Sequence, residues 1–191
     1  MTIDRAAVDT DLVWPDEGAA AGPTQASVPL EVPAADALRS AFGRYATGIT
    51  LVTCLDSRGA PCGLTVNSFS SLSLEPPLVL WSLRLRSTNL DAFTTARHFA
   101  VNVLSESHLG LSRHFATQPA DQRFSQGRWR VGLGDAPVLE DAAASFECAL
   151  RGWHDEGDHR LFIGQVGRVT QAEGEPLVYH GGAYRRLGPP A

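Results

Sequence analysis

Lysine does not occur in the 191 residues; all sixteen basic side chains are Arg. A chain without Lys cannot carry the G-x-x-x-x-G-K-[ST] phosphate loop, and guanidinium groups are left as the cations always available to meet a phosphate. Cysteine is nearly as scarce. Cys54, Cys62 and Cys148 are odd in number and include no C-x-x-C pair, which favours free thiols in a reducing compartment over a disulfide framework or zinc. His98, His108, His114, His154, His159 and His180 show neither H-E-x-x-H nor another ligand spacing, so no metal is expected. No serine stands in a G-x-S-x-G elbow. The nearest approach to G-x-G-x-x-G, Gly132-Leu133-Gly134-Asp135-Ala136-Pro137, ends wrongly and follows no clear strand, which argues against a Rossmann dinucleotide site. No apolar run approaches eighteen residues, and no basic segment followed by an apolar one opens the chain. A cytoplasmic protein without a membrane span is therefore expected. Charged residues are 19% and the net charge is −5, which argues against nucleic acid as the main partner.

What the chain does contain suits one domain able to bury a core unaided. Residues 1–34 are rich in Ala, Pro and Asp, hold four of the twelve prolines and have little periodicity; a mobile extension is expected, with Trp14 its candidate anchor to a partner surface. From Ala35 the pattern changes. Ala37, Leu38, Ala41, Phe42 and Tyr45 recur at helical spacing, with Asp36 in the first turn and Gly48 as the stop. Ile49–Leu55 reads as a strand and Asp56–Gly59 as a turn into the next. A short helix is predicted over Leu90–Ala96, a strand over Phe99–Leu104 and a helix over Glu106–Phe115. Thr117–Pro137 reads as loop, followed by strands over Ala143–Trp153 and Leu161–Thr170. A terminal hairpin turns at Gly181-Gly182. Six or seven strands without strict β-α alternation predict a mainly β fold, a closed antiparallel barrel with peripheral helices.

The stretch Gly63–Asn89 is unusual within this frame. Its first strand carries polar groups where a core strand would be apolar: Thr65, Asn67 and Phe69 share one face, and Leu64, Val66 and Ser68 the other. Serine recurs at Ser68, Ser70, Ser71, Ser73, Ser82 and Ser87, a density suited to lining a ligand site. After Pro76-Pro77 comes one buried strand, Leu78–Leu83. The chain then turns basic and polar through Arg84, Leu85, Arg86, Ser87, Thr88 and Asn89 and enters a helix. N-cap residues beside two guanidiniums form a candidate pocket for an anion, phosphate above all.

The order of motifs resembles the flavin reductase domain family, small NAD(P)H:flavin oxidoreductases that feed two-component monooxygenases. The motifs are F-x-x-Y-A-T-G-I-T at Phe42–Thr50, GLTVNSFSSLSLEPPLVLWSL at Gly63–Leu83, FAVNVLSESH at Phe99–His108 and LSRHFA at Leu111–Ala116. Arg123-Phe124, GDHRLFIGQV at Gly157–Val166 and PLVYHGGAYRRL at Pro176–Leu187 follow. The resemblance implies an FMN-binding split β-barrel over residues 35–191, usually a homodimer. It implies that Pro61, Cys62, Gly63, Leu64, Thr65, Asn67 and Ser68 meet the isoalloxazine and ribityl chain. Ser82, Leu83, Arg84, Leu85, Arg86, Ser87, Thr88 and Asn89 would hold the phosphate end. His159, within Gly157-Asp158-His159, would lie at the nicotinamide and serve as the catalytic-site histidine. Tyr179, His180, Gly181, Gly182 and Tyr184 would border the same nucleotide. FAD is the expected flavin, with FMN second, and NADH the expected reductant, with NADPH second. A separate monooxygenase would take the reduced flavin. The alternatives are a split-barrel FMN oxidase with its own small substrate, or a non-catalytic flavin- or haem-binding barrel.

Overall fold

The structure, a computed structural model, describes residues 31–189. The expected N-terminal extension lies outside these apart from its last four residues, and Trp14 with it. The helices are α1 (Ala35–Phe42), α2 (Leu90–Thr95) and α3 (Leu109–Thr117). The strands begin with β1 (Thr47–Gly48), β2 (Thr50–Leu55), β3 (Pro61–Val66), β4 (Ser70–Leu74), β5 (Pro77–Arg84) and β6 (His98–Val103). They continue with β7 (Trp129–Val131), β8 (Pro137–Leu139), β9 (Ala144–Glu156), β10 (His159–Gln171), β11 (Val178–His180) and β12 (Ala183–Arg185). The mainly β expectation holds.

Seven strands form one antiparallel sheet in the order β3-β2-β6-β9-β10-β5-β4, with smaller sheets β1-β11-β12 and β7-β8 beside it. The closed barrel expected from periodicity is not closed by hydrogen bonds: β3 and β4 are opposite edges of the ladder. They are nevertheless consecutive in the chain, joined by the bend Asn67–Phe69, so one bent strand pairs first with β2 and then with β5. The Ser68 side chain holds the switch. Its Oγ donates to the Ser82 carbonyl at 2.9 Å and accepts from the Ser82 N–H at 3.1 Å, making two bonds that a regular ladder would have made from backbone.

Two apolar clusters fill the interior. In one, Trp81 stacks on Phe162 at 4.6 Å and meets Phe93 edge-on at 4.8 Å, with Val52, Leu83 and Phe99 around them. These rings supply much of the buried apolar area of that half. The other places Ile49, Leu51, Leu104 and Leu139 against Leu111 and Phe115 of α3. Asn102, fully buried, ties the layers: its Nδ2 donates to the Leu51 carbonyl, and its Oδ1 accepts from the Leu139 N–H and Ser145 Oγ. Glu147, 1% exposed, accepts from Arg130, Arg168 and the Leu133 N–H, pinning the segment 129–135 to the sheet.

Several predicted boundaries move. The first helix stops at Phe42, not Gly48. After the Gly43 N–H bonds to the Arg39 carbonyl, the next two amides make tight turn bonds, and Thr47–Gly48 is drawn into pairing with β11. No residue of α1 is buried. The helix predicted from Glu106 opens as a 3-10 turn, Glu106–His108, before α3. The interval read as loop, 117–137, contains the 3-10 turns Ala120–Ser125 and Leu133–Asp135 and strand β7. β9 and β10 extend until only Gly157 and Asp158 separate them, with Glu156 paired to His159.

Candidate functional site

The site is built where β5 ends. Arg84, its last residue, lies directly opposite His159, the first residue of β10. The Leu85 N–H donates to the Asp158 carbonyl at 3.0 Å, so the basic loop and the Gly157-Asp158 turn are fastened together. Next to them is the bend at Asn67, held by Ser68. A third wall comes from the β11–β12 hairpin, whose Gly181 and Gly182 adopt φ +60° and +77°, a left-handed pair that a two-residue hairpin turn requires and glycine supplies without strain. The Gly181 N–H bonds to the Gly43 carbonyl at 2.8 Å, placing the end of α1 against the hairpin.

These elements enclose a cavity of about 480 Å³. Asn67 and Arg84, predicted for the flavin, line it together with Tyr179, His180, Gly181 and Gly182, predicted for the nicotinamide. Its remaining wall, Arg39, Phe42, Gly43, Tyr45 and Thr47, escaped the sequence reading. The available signal was the Phe42–Tyr45 spacing, read only as helical periodicity. Phe42 and Tyr45 are instead 72% and 77% exposed. Aromatic surfaces around a few polar donors suit a planar heteroaromatic ring edged with acceptors. Among the described residues the Asn67 amide, the Arg84 and Arg86 guanidiniums and the His180 ring make no hydrogen bond or close ion pair, so their donors are available to a ligand. A flavin or nicotinamide nucleotide fits that donor set.

The other predicted residues are distributed differently. Pro61 is exposed at the start of β3. Cys62 is half-buried, with Sγ 3.6 Å from Asn89 Oδ1. Gly63 is buried; a side chain there would meet Phe115 and Phe124 at 3.1 Å, and its carbonyl accepts from Arg123 at 2.8 Å. Leu64 packs on the aromatic cluster and Leu83 lies within it. Thr65 Oγ1 donates to the Ser112 carbonyl at 3.0 Å, and Ser82 is the partner of Ser68. Leu85, Arg86 and Thr88 are exposed on the loop, while Ser87 and Asn89 are more enclosed. The helix-terminus part of the anion pocket is weaker than expected. α2 has six residues, Asn89 makes no side-chain cap, and the Asn89 and Leu90 N–H groups bond to Ser87 Oγ and the Ser87 carbonyl. The charge at this loop comes from the two arginines.

His159 is partly exposed, and its Nδ1 lies 2.6 Å from Asp158 Oδ1. That contact, with Arg84 nearby, holds the Asp158 carboxyl below the usual carboxylate range. Behind them Arg160 is locked: it pairs with Asp155 at 2.6 Å, donates to Thr94 Oγ1 at 2.8 Å and lies 3.7 Å over the Trp153 ring. This clamp joins the β9–β10 tip to α2 and so steadies His159. Tyr184 Oη pairs with Ser112 Oγ at 3.0 Å, and its ring packs against Tyr179.

The model of the Flavin reductase like domain matches residues 42–188. The chain belongs to the flavin reductase like domain family. The resemblance read from the ordered motifs is thereby borne out. Within the family, the chain is 42% identical over 149 residues to the FMN reductase (NADH) SmoA of Agrobacterium fabrum, covering 78% of this chain and 84% of that one. It is 42% identical over 147 residues to the reductase component of the flavin-dependent trigonelline monooxygenase of Acinetobacter baylyi, covering 77% of this chain and 47% of that one. Among solved structures, the NADH:FAD oxidoreductase of Streptomyces globisporus in complex with NAD and FAD fragments superposes with a TM-score of 0.78 at 36% identity, over 86% of this chain and 99% of that one. The chain spans about half the length of some curated relatives it matches, 47% in two of them. No helix among the described residues is long and apolar enough to cross a membrane.

Proposed function

We propose that this chain is an NAD(P)H:flavin oxidoreductase that reduces FAD, with FMN as the second flavin, and passes the reduced flavin to a separate monooxygenase. NADH is the preferred reductant over NADPH. The observation that carries this reading is the single cavity in which Asn67 and Arg84 meet Tyr179, His180, Gly181 and Gly182. Two sets of residues, separated by about half the chain and assigned to different nucleotides, share one space.

When bound, the flavin accepts a hydride from the nicotinamide. That transfer asks the protein for little acid–base chemistry; it asks for two rings held roughly 3–3.5 Å apart and shielded from water. Asn67 would donate to the edge of one ring, and Phe42 and Tyr45 would shield the faces. Arg84 and Arg86 would neutralise phosphate, and the backbone of Gly181 and Gly182 would allow close approach of the second nucleotide. His159 does not line the cavity itself but is held through Nδ1 by Asp158 and paired across the ladder with Arg84, which does; its other nitrogen would donate to the nicotinamide nucleotide.

We further propose a cytoplasmic homodimer with residues 35–191 as its catalytic unit. The unburied apolar side of α1 and the edge strand β4, whose Leu72 and Leu74 are 46% and 94% exposed, support a partner surface. Three free thiols support the reducing compartment. The deciding assay crosses NADH and NADPH with FMN and FAD and follows nicotinamide absorbance. Flavin-dependent oxidation is expected, fastest with NADH; no oxidation in any of the four pairs overturns the proposal.

A further inference from the structure

We propose that Cys54 and Cys62 are a peroxide-responsive thiol pair that closes to a disulfide and slows the enzyme. The inference goes beyond the reductase reading and rests on it for the source of the peroxide and for the phosphate subsite whose loss slows the rate.

The two residues are direct partners across the β2–β3 hairpin. Opposite residues in an antiparallel pair project from the same sheet face, with α-carbons about 4.5–5.5 Å apart. That lies inside the roughly 4.4–6.8 Å span of disulfides. Both side chains belong to the same apolar cluster, yet only Cys54 is sealed from solvent, at 0% exposure, while Cys62 is partly open. The two thiols face each other across the pair, and Cys62 Sγ also donates to Asn89 Oδ1 at 3.6 Å. The neighbouring Cys54 thiol and the charge of Arg123 bring Cys62 below the ordinary thiol value, whereas Cys62 and burial push Cys54 up so that it keeps its proton. The attacking species in thiol oxidation is the thiolate, so the accessible member is also the reactive one and the sealed member is placed to resolve it. Cys148 supplies an internal control: it is buried, and desolvation pushes its thiol up to about 12.

The chemistry balances with peroxide as oxidant. Dihydroflavin that escapes the monooxygenase reduces oxygen to hydrogen peroxide and returns to oxidised flavin. The Cys62 thiolate attacks one peroxide oxygen, giving Cys62 sulfenic acid and hydroxide. Cys54 then attacks that sulfur; its proton and the departing hydroxyl leave as water, and the bridge forms. The consequence reaches the site through Asn89, whose Oδ1 accepts from Cys62 Sγ. Closing the bridge removes that donor and loosens the segment Ser87–Asn89, one wall of the proposed phosphate subsite.

The test uses the full-length protein and graded hydrogen peroxide. Intact mass, peptide mapping, thiol titration and reductase rate are read together. The expected result is loss of two of the three titratable thiols, a Cys54–Cys62 linked peptide pair, loss of the mass of two hydrogens, and a fall in rate that dithiothreitol reverses. In Cys54→Ala the untreated rate is retained, and peroxide leaves a Cys62 sulfenic acid that dimedone traps. Persistence of all three thiols, a bridge elsewhere, a bridge that leaves the rate unchanged, or the same reversible loss in Cys54→Ala overturns the proposal. A failed reductase reading would show before any peroxide is added, as absent nicotinamide oxidation. The thiol count and peptide map are read independently of it.

Discussion

Arg84 and His159 face each other across one rung of the ladder, yet they are proposed to serve different nucleotides. Their removal should separate cleanly. A charge-assisted hydrogen bond is worth about 1.5–3 kcal/mol, roughly 10- to 150-fold in affinity. Arg84→Ala is expected to weaken flavin binding by that order, measured by flavin fluorescence titration. His159→Ala should raise the KM for NADH and leave the flavin dissociation constant unchanged, as stopped-flow and steady-state kinetics would show. The acid side belongs to the same tip. Asp158 and Asp155 have carboxyls lowered by hydrogen bonds from His159 and Arg160 respectively. A depressed folded value adds stability above the ordinary aspartate value of about 3.9, and that stability is lost as pH falls through the lower folded value. The β9–β10 tip should therefore stay ordered at mildly acidic pH and loosen only in stronger acid, read by amide exchange at residues 155–160. At this scale the sequence was partly legible. Asn67, Arg84 and His180 stood out as polar groups and do line the cavity. Thr65 and Ser68 looked alike in the sequence as candidate ligand donors, but their hydroxyls bond to the Ser112 carbonyl and to the Ser82 backbone, and polarity alone does not distinguish a donor for a ligand from one for the backbone.

The element that decides the architecture is the bend between β3 and β4. Ser68→Ala removes both bonds to Ser82 and leaves a carbonyl and an N–H without their partner. A cost of about 1–3 kcal/mol is expected from urea denaturation, with weakened flavin binding because Asn67 adjoins the bend. The buried β5 was readable from its continuous apolar run, and the β2–β3 hairpin from its turn chemistry. β4 was not: Ser70–Leu74 is almost wholly exposed and owes its strand form to pairing with β5, a tertiary effect without local signature. The end of α1 was misplaced for the same kind of reason, since pairing with β11 captures Gly48 before it can act as a helix stop.

Among the described residues one amphipathic helix, α1, has no buried side chain. Phe42 and Tyr45 project from the Ala35 helix and the turn after it, beside the cavity, so a second copy packing there would cover both the apolar surface and the mouth. Phe42→Asp in the full-length protein should shift the sedimentation coefficient from dimer to monomer and lower the reductase rate with it. Barrel-like topology was predictable from strand number and spacing. The lack of hydrogen-bonded closure was not, because it depends on which edges face each other.

The dimensions of the central space carry one more implication. Pockets of about 300–1,000 Å³ take a single drug-sized molecule, and the cavity of about 480 Å³ lies within that range, too small for two complete dinucleotides. Under the proposed function the sugar, phosphate and adenine portions would lie outside it. Selection between the mononucleotide and the dinucleotide flavin would then rest on the exposed loop that carries Arg86 and Thr88, while the speed of electron delivery would be set at the cavity wall. One flavin preference could then be exchanged for the other by substitution on that loop, without retuning the reaction.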